Sequence, residues 1–297
     1  MEWSDFADRF LASRREAGAS THTLAAYAAD MAAFATWYTS TTGQAPEPAA
    51  VTPLDVTEYR ALLQRRAKPA TVNRRVGTVK TAFGWAAAAG LLAGNPAAQV
   101  RPVQEVDPGP RAVDRRVLGA FLREAQRAGS VRDVCLVTLL AQAGFRISEA
   151  LALRWGDVTT GQRSGQVTVR RGKGEKWREV PLSLTARRAL AAWRDARWPD
   201  ALPTPDAAVF PGRDGLRPLS ARAVQQAFVR YTRRAGIESP LTPHTLRHAF
   251  CKALVDEGVS LDRVGVLAGH CSLQTTARYT RPTRADLERA VERLEWI

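Results

Sequence analysis

The sequence predicts a mainly α-helical protein with one small β-hairpin, split into a helical N-terminal domain and a larger α+β domain. Three observations carry that prediction. Apolar residues recur at three-to-four spacing through most of the chain, the period of a helix with one buried face. The pattern lapses over residues 99–112, QVRPVQEVDPGPRA, where three prolines and a glycine read as a linker. A single stretch alternates in the manner of paired strands about a Gly-rich turn. The expected division is a helical domain at 1–100, a linker at 101–112 and a catalytic domain with a tail helix at 113–297. A chain of 297 residues is long enough to bury a core in each.

In chain order, Ser20 or Thr21 caps a helix through Leu24, Tyr27, Met31, Phe34, Trp37 and Tyr38, which Gly43 to Pro48 interrupts. Thr52-Pro53 opens a second helix through Val56, Tyr59, Leu62 and Leu63, closed by Lys68-Pro69. A third runs from about Thr71 to Ala89. It sets Val72, Val76, Val79 and Phe83 on one side and Asn73, Arg74, Arg75 and Lys80 largely elsewhere, and Gly94-Asn95-Pro96 ends it. Beyond the linker, Arg146 and Glu149 fall on one helix face. Val167 to Arg170 and Trp177 to Val180 read as strands around the turn Arg171 to Lys176. Helices are expected at Leu184 to Trp198, Ala221 to Ala235, Leu246 to Glu257, Leu261 to Ala268 and Arg284 to Leu294.

The charge narrows the class of partner. Lys and Arg number 43 against 29 Asp and Glu, a net of +14. Residues 1–104 hold 11 basic and 8 acidic side chains, and residues 105–297 hold 32 and 21, so most of the excess lies in the second domain. Such a surface suits nucleic acid or an acidic membrane face. The longest uncharged apolar stretch, Ala82 to Gly94, is too short and too Gly-interrupted to span a bilayer, which leaves nucleic acid as the better explanation. Cys135, Cys251 and Cys271 form no CxxC pair, and the acidic start Met1-Glu2-Trp3-Ser4-Asp5 is unlike a secretory leader, so a reducing cytoplasm is expected.

Four patches hold chemistry-bearing residues. In the first, Glu149 sits three residues after Arg146 and is placed to brace its guanidinium; alone, this pair reads as an ordinary surface ion pair. In the second, two of the chain's five lysines, Lys173 and Lys176, share one Gly-rich turn. A lysine releases a proton where arginine does not, so Lys173 is read as an acid, with a solvated turn lysine as the ordinary alternative. In the third, Thr242 caps and Pro243 starts a helix that sets His244, Arg247 and His248 on one face, with Leu246, Phe250 and Leu254 turned inward. Burying an unpaired charge is costly, so that face is expected to serve an anion rather than the core. His270 follows. A zinc site built on Cys251, Cys271 and these histidines is the rival reading, and a fixed positive charge at Arg247 opposes it. In the fourth, Thr275 to Thr280 holds Tyr279, which on its own reads as packing.

Taken together, the segments GFRISEALALRW, RRGKGEKWREVPL, LTPHTLRHAF and LAGHCSLQTTARYT resemble the tyrosine recombinase (lambda-integrase-like) family, most closely its Xer-type members. The ordered series Arg, Lys, His-x-x-Arg, His, Tyr is far more specific than any one of its parts. The departures are small: Leu267-Ala268-Gly269 stands where Leu-Leu-Gly is commoner, Cys251 where Thr is common, and Thr-Arg-Pro follows Tyr279.

The resemblance implies a helical core-binding (SAM-like) domain and a catalytic domain forming a C-shaped clamp on duplex DNA. It implies that Arg146 and Arg247 clamp the scissile phosphate, with His244 and His270 beside them and Glu149 behind Arg146. Tyr279 would attack to form a 3′-phosphotyrosine while Lys173 protonates the departing 5′-oxygen. No metal, ATP or other cofactor is expected, in keeping with the lack of a GxxxxGK[ST] loop. Thr71, Asn73, Arg74, Arg75 and Lys80 are candidate DNA contacts, with a plain solvated face as the alternative for Arg74 and Arg75. The implied partners are double-stranded DNA with paired core sites and further protomers, giving a homotetramer, or a related recombinase. The stripe Leu287, Ala290, Val291 and Leu294 is expected to fold back on its own domain or, as the resemblance implies, to dock into a neighbouring protomer. A type IB topoisomerase and a DNA-binding regulator without chemistry are the competing functions.

Overall fold

The first hundred residues form four helices, the last three with a cap or a first-turn proline at their starts: α1 (Trp3–Glu16), α2 (Thr21–Thr42), α3 (Pro53–Arg66) and α4 (Pro69–Ala88). The Ser20 hydroxyl accepts from the Thr23 amide at the start of α2, and Gly43 ends it in the left-handed conformation. Thr52 and Asp55 cap α3 reciprocally, with Pro53 in its first turn. The next helix begins at Pro69, two residues before the position expected, because that proline serves as a first-turn residue as well as a terminator. Phe6, Phe10, Met31, Phe34, Tyr59, Val79 and Phe83 are the buried centre of this unit.

In the computed structural model, residues 1–104, 113–128, 130–170, 177–212, 214–215, 217–269 and 291–292 are described. The chain divides into two units, Met1–Asp107 and Pro108–Ile297, with the division inside the stretch read as linker. The first part of that stretch is docked on the helices. Asn73 donates through Nδ2 to the Val103 carbonyl (2.9 Å) and accepts from its amide (2.7 Å). Lys80 Nζ donates to Ala98 O (2.7 Å), Arg60 to Arg101 O (2.9 Å), and Val100 is buried. Prolines and glycine hide such docking from a reading based on periodicity, because the segment's contacts are made by side chains of α3 and α4.

The second unit contains α5 (Arg115–Arg127), α6 (Val131–Ala143) and α7 (Ile147–Ala152), then β1 (Val158–Thr160), β2 (Gly165–Val169) and β3 (Arg178–Pro181). It continues with α8 (Leu184–Arg197), α9 (Ala221–Arg234), α10 (Pro243–Asp256) and α11 (Leu261–Ala268). The strands form one antiparallel sheet in the order β1-β2-β3, with Val167 opposite Val180. The expected hairpin is therefore two-thirds of a sheet. β1 escapes the sequence because three residues are too few to show alternation. β2 stops at Val169; Arg170 lies beyond it and pairs instead with Asp157 at 2.6 Å. α6 is the central helix, packed against α5, α8 and α10, with Leu139, Leu140 and Phe145 wholly buried. Among the described residues no helix is long and apolar enough to cross a membrane. The expected tail helix, 284–294, lies outside the described residues except for 291–292.

Candidate active site

The site begins where α6 stops. Gly144 takes φ +61°, and a Cβ there would stand 2.3 Å from the Phe250 ring, so only glycine allows the turn and the close approach of α10. The turn carries Phe145 into the core and leaves Arg146 just before α7. Glu149, in the first turn of α7, reaches back: Oε2 accepts the Arg146 amide (2.8 Å) and Oε1 accepts Arg146 Nη1 (2.8 Å). A second guanidinium arrives from β3. Arg178 donates through Nη1 to Oε1 (3.0 Å) and through Nη2 to Oε2 (2.8 Å), a two-pronged pairing with the same carboxylate. Arg247 on α10 is third, its Nη1 4.0 Å from Oε2.

The end of α11 closes the cluster. Three successive carbonyls each accept from a different arginine: Leu267 O from Arg178 Nε (3.1 Å), Ala268 O from Arg247 Nη2 (2.5 Å), and Gly269 O from Arg146 Nη2 (3.0 Å). Carbonyls at a helix C-terminus lack partners within the helix and carry its negative dipole end, so guanidiniums are suitable caps. Gly269 takes φ +64°, and a Cβ on it would lie 2.6 Å from Arg178 Nη1. Burial alone pushes the Glu149 carboxyl up. Hydrogen bonds from Arg178 and from the Arg146 amide overcome this and bring it down to about 2, so it stays ionised at neutral pH. Three guanidiniums against one carboxylate leave an excess of positive charge. Arg146, with 39 % of its side chain exposed against 10 % for Arg178 and 2 % for Arg247, presents that excess to solvent. An anion with several oxygens in fixed directions, such as a phosphodiester, matches it.

Arg146, Glu149 and Arg247 thus lie together, but Arg146 does so from the extended residue before α7, with Glu149 reaching back to it, and not from the shared helix face that their spacing predicts. The burial of Arg247 corrects the expectation for its helix face. The side chain lies in the interior because Gly144 O (2.5 Å) and Ala268 O take its two terminal nitrogens, so the buried charge is paired. His244 is exposed and His248 half-buried, their Nε2 atoms 2.7 Å apart with rings edge to face. Lys173, His270 and Tyr279 lie outside the described residues. Cys251 is buried against Val264 and Ala268, as a core residue would be, whereas Cys271 falls outside the described residues.

Of the candidate DNA contacts, Asn73 and Lys80 hold the 98–103 segment. Arg74 pairs with the buried Asp30 of α2 yet keeps half its side chain exposed; Arg75 Nε is 3.9 Å from the same carboxylate. Thr71 is half-buried. Sequence reasoning missed Arg178 altogether. The signal was present, since Arg178 shares a strand face with Val180, and an arginine on the inward face of a strand calls for a buried acid.

The phage integrase family model matches residues 112–285. The chain is 37 % identical over 277 residues to tyrosine recombinase XerC of Rhodospirillum centenum, covering 89 % of this chain and 79 % of that one. It is 31 % identical over 279 residues to tyrosine recombinase XerD of Ralstonia nicotianae, covering 92 % and 87 %. Among solved structures, XerH recombinase bound to a palindromic difH substrate superposes with a TM-score of 0.77 at 19 % identity, over 92 % of this chain and 80 % of that one. The Tn1549 transposon integrase in complex with transposon right end DNA gives 0.74 at 18 % identity, over 99 % of each. At these identities the structural likeness is one of fold.

Proposed function

This chain belongs to the phage integrase family, with Xer tyrosine recombinases among its relatives, and we propose that it cuts and rejoins duplex DNA at specific sites through a 3′-phosphotyrosine intermediate. One observation carries the reading: Arg146 and Arg247, 101 positions apart in the sequence, converge with Glu149 at the end of α11, immediately before His270. The guanidiniums supply the charge neutralisation that a metal would otherwise provide, which is why no metal or nucleotide is invoked. Stabilisation of this kind is worth about 3 kcal/mol per well-placed donor in a phosphoryl-type transition state.

The Tyr279 phenolic oxygen attacks the phosphorus and the bond to the 5′-oxygen breaks. His244 assists removal of the phenol proton, and Lys173 gives a proton to the departing oxygen, which leaves as a 5′-hydroxyl. The new phosphotyrosine ester conserves the bond energy. A 5′-hydroxyl from a partner duplex reverses the step and joins new strands. His270 adds a donor to the phosphate. Arg74, Arg75 and Thr71 contact the DNA backbone, while Asn73 and Lys80 act by holding the 98–103 segment. Two core sites are brought together by a tetramer of this chain, or of this chain with a related recombinase, through the segment 284–294. The working location is the cytoplasm, at the nucleoid.

A type IB topoisomerase shares this chemistry but needs no paired sites, and a regulator on the same fold needs no tyrosine. A supercoiled plasmid carrying two copies of the DNA that the protein captures in cells separates the three. Recombination between the copies, lost in Tyr279→Phe, is the expected result. Relaxation of a plasmid with no copy would establish the topoisomerase, and DNA binding without either reaction would establish the regulator.

A further inference from the structure

Arg178 has no role in the reaction as proposed, yet its side chain is the hub of the cluster. Each nitrogen of its guanidinium has an acceptor: Nη1 and Nη2 on the two oxygens of Glu149, and Nε on Leu267 O. Only 10 % of the side chain is exposed. A guanidinium so enclosed and so fully engaged is poorly placed to be a phosphate ligand. We propose that Arg178 is a positioning residue for strand transfer, sharing the Glu149 carboxylate with Arg146 and fixing the end of α11. The inference rests on the function proposed above and extends it.

The geometry gives the physical reason. Glu149 Oε1 accepts from both Arg146 Nη1 (2.8 Å) and Arg178 Nη1 (3.0 Å). Without Arg178, a carboxylate only 10 % exposed keeps Arg146 as its one close guanidinium, Arg247 being 4.0 Å away. Its full charge would then hold Arg146 back from an incoming phosphate. The Leu267 carbonyl would lose its cap at the same time, loosening the helix end that leads into His270. Arg178 also opens β3, the strand that follows Lys173 in the sequence. One side chain therefore ties three elements that carry proposed catalytic residues. A lysine cannot substitute, because a single ammonium does not span a carboxylate fork and a carbonyl together.

The test is single-turnover cleavage of a labelled, nicked duplex bearing the DNA captured by wild-type protein in cells, with affinity for the same duplex measured separately. Arg178→Met and Arg178→Lys are expected to bind that duplex within about twofold of wild type and to cleave it roughly 100-fold more slowly, the scale of a mispositioned site. Adding Glu149→Gln to Arg178→Met should raise the rate above that of Arg178→Met alone, because the unshared charge is gone. That recovery is what a merely structural role would not give. Wild-type cleavage by Arg178→Met overturns the inference, as does a double variant no faster than the single one, or loss of DNA binding in all three variants. A wild-type protein that forms no covalent product overturns the proposed function itself, and the inference falls with it.

Discussion

Glu149 shows how a buried charge is made tolerable at the scale of one residue. Its two oxygens take four hydrogen bonds, from Arg146 and Arg178, and a third guanidinium stands 4.0 Å off. Its carboxyl titrates lower in the folded protein than in the unfolded chain. The stabilisation is therefore complete above the unfolded range near 4.5 and is lost as pH falls toward about 2. Its size is on the order of 3 kcal/mol. Denaturant midpoints should show Glu149→Gln well below wild type at pH 6, with the gap closing as pH approaches 2.5. A gap that stays constant would mean that the carboxylate's charge is not what the cluster stabilises. Arg146, Glu149 and Arg247 were legible as one group only through the ordered series of motifs, since the Arg146–Glu149 spacing alone reads as a surface ion pair. The sequence misjudged the burial of Arg247, because spacing along one helix says nothing about carbonyls offered by the ends of α6 and α11. Arg178 carries a sequence signal, an arginine on the strand face of Val180, but the acid it meets, Glu149, lies 29 positions away and is identified only by the fold.

Among elements, those with a chemical start signal were the readable ones. Thr52-Pro53 and Thr242-Pro243 cap and open α3 and α10 as expected. β1 and the docked 98–103 segment carry no such signal and are held by partners distant in sequence. At the end of α11 three arginines cap three successive carbonyls. Gly269→Ala should cost roughly 1–2 kcal/mol for the left-handed backbone alone. A further loss is expected because the new methyl displaces the Arg178 guanidinium. A double-mutant cycle with Arg178→Met separates the two contributions: the cost of Gly269→Ala should shrink in the Arg178→Met background. Equal cost in both backgrounds would show that the glycine answers only to its φ angle.

For the molecule as a whole, charge governs how DNA is approached. The net of +14 is carried mainly by residues 105–297, at +11, against +3 for residues 1–104. Affinity should fall steeply with salt, by about three orders of magnitude between 50 and 200 mM if some six phosphates are contacted. Arg74→Ala should lower the slope of log affinity against log salt by about one. Asn73→Ala should leave the slope unchanged while destabilising the first unit, whose 98–103 segment it releases. An unchanged slope in Arg74→Ala would remove that residue from the DNA interface.

In the proposed reaction Tyr279 becomes joined to a DNA 3′-phosphate held by Arg146 and Arg247. Mass spectrometry of the peptides from protein reacted with a nicked duplex tests it most directly. The expected product is a nucleotide linked through its 3′-phosphate to Tyr279, a 5′-hydroxyl on the released strand, and no product from Tyr279→Phe. A nucleotide on any other residue, a 5′-phosphate linkage, or an undiminished yield from Tyr279→Phe would contradict it.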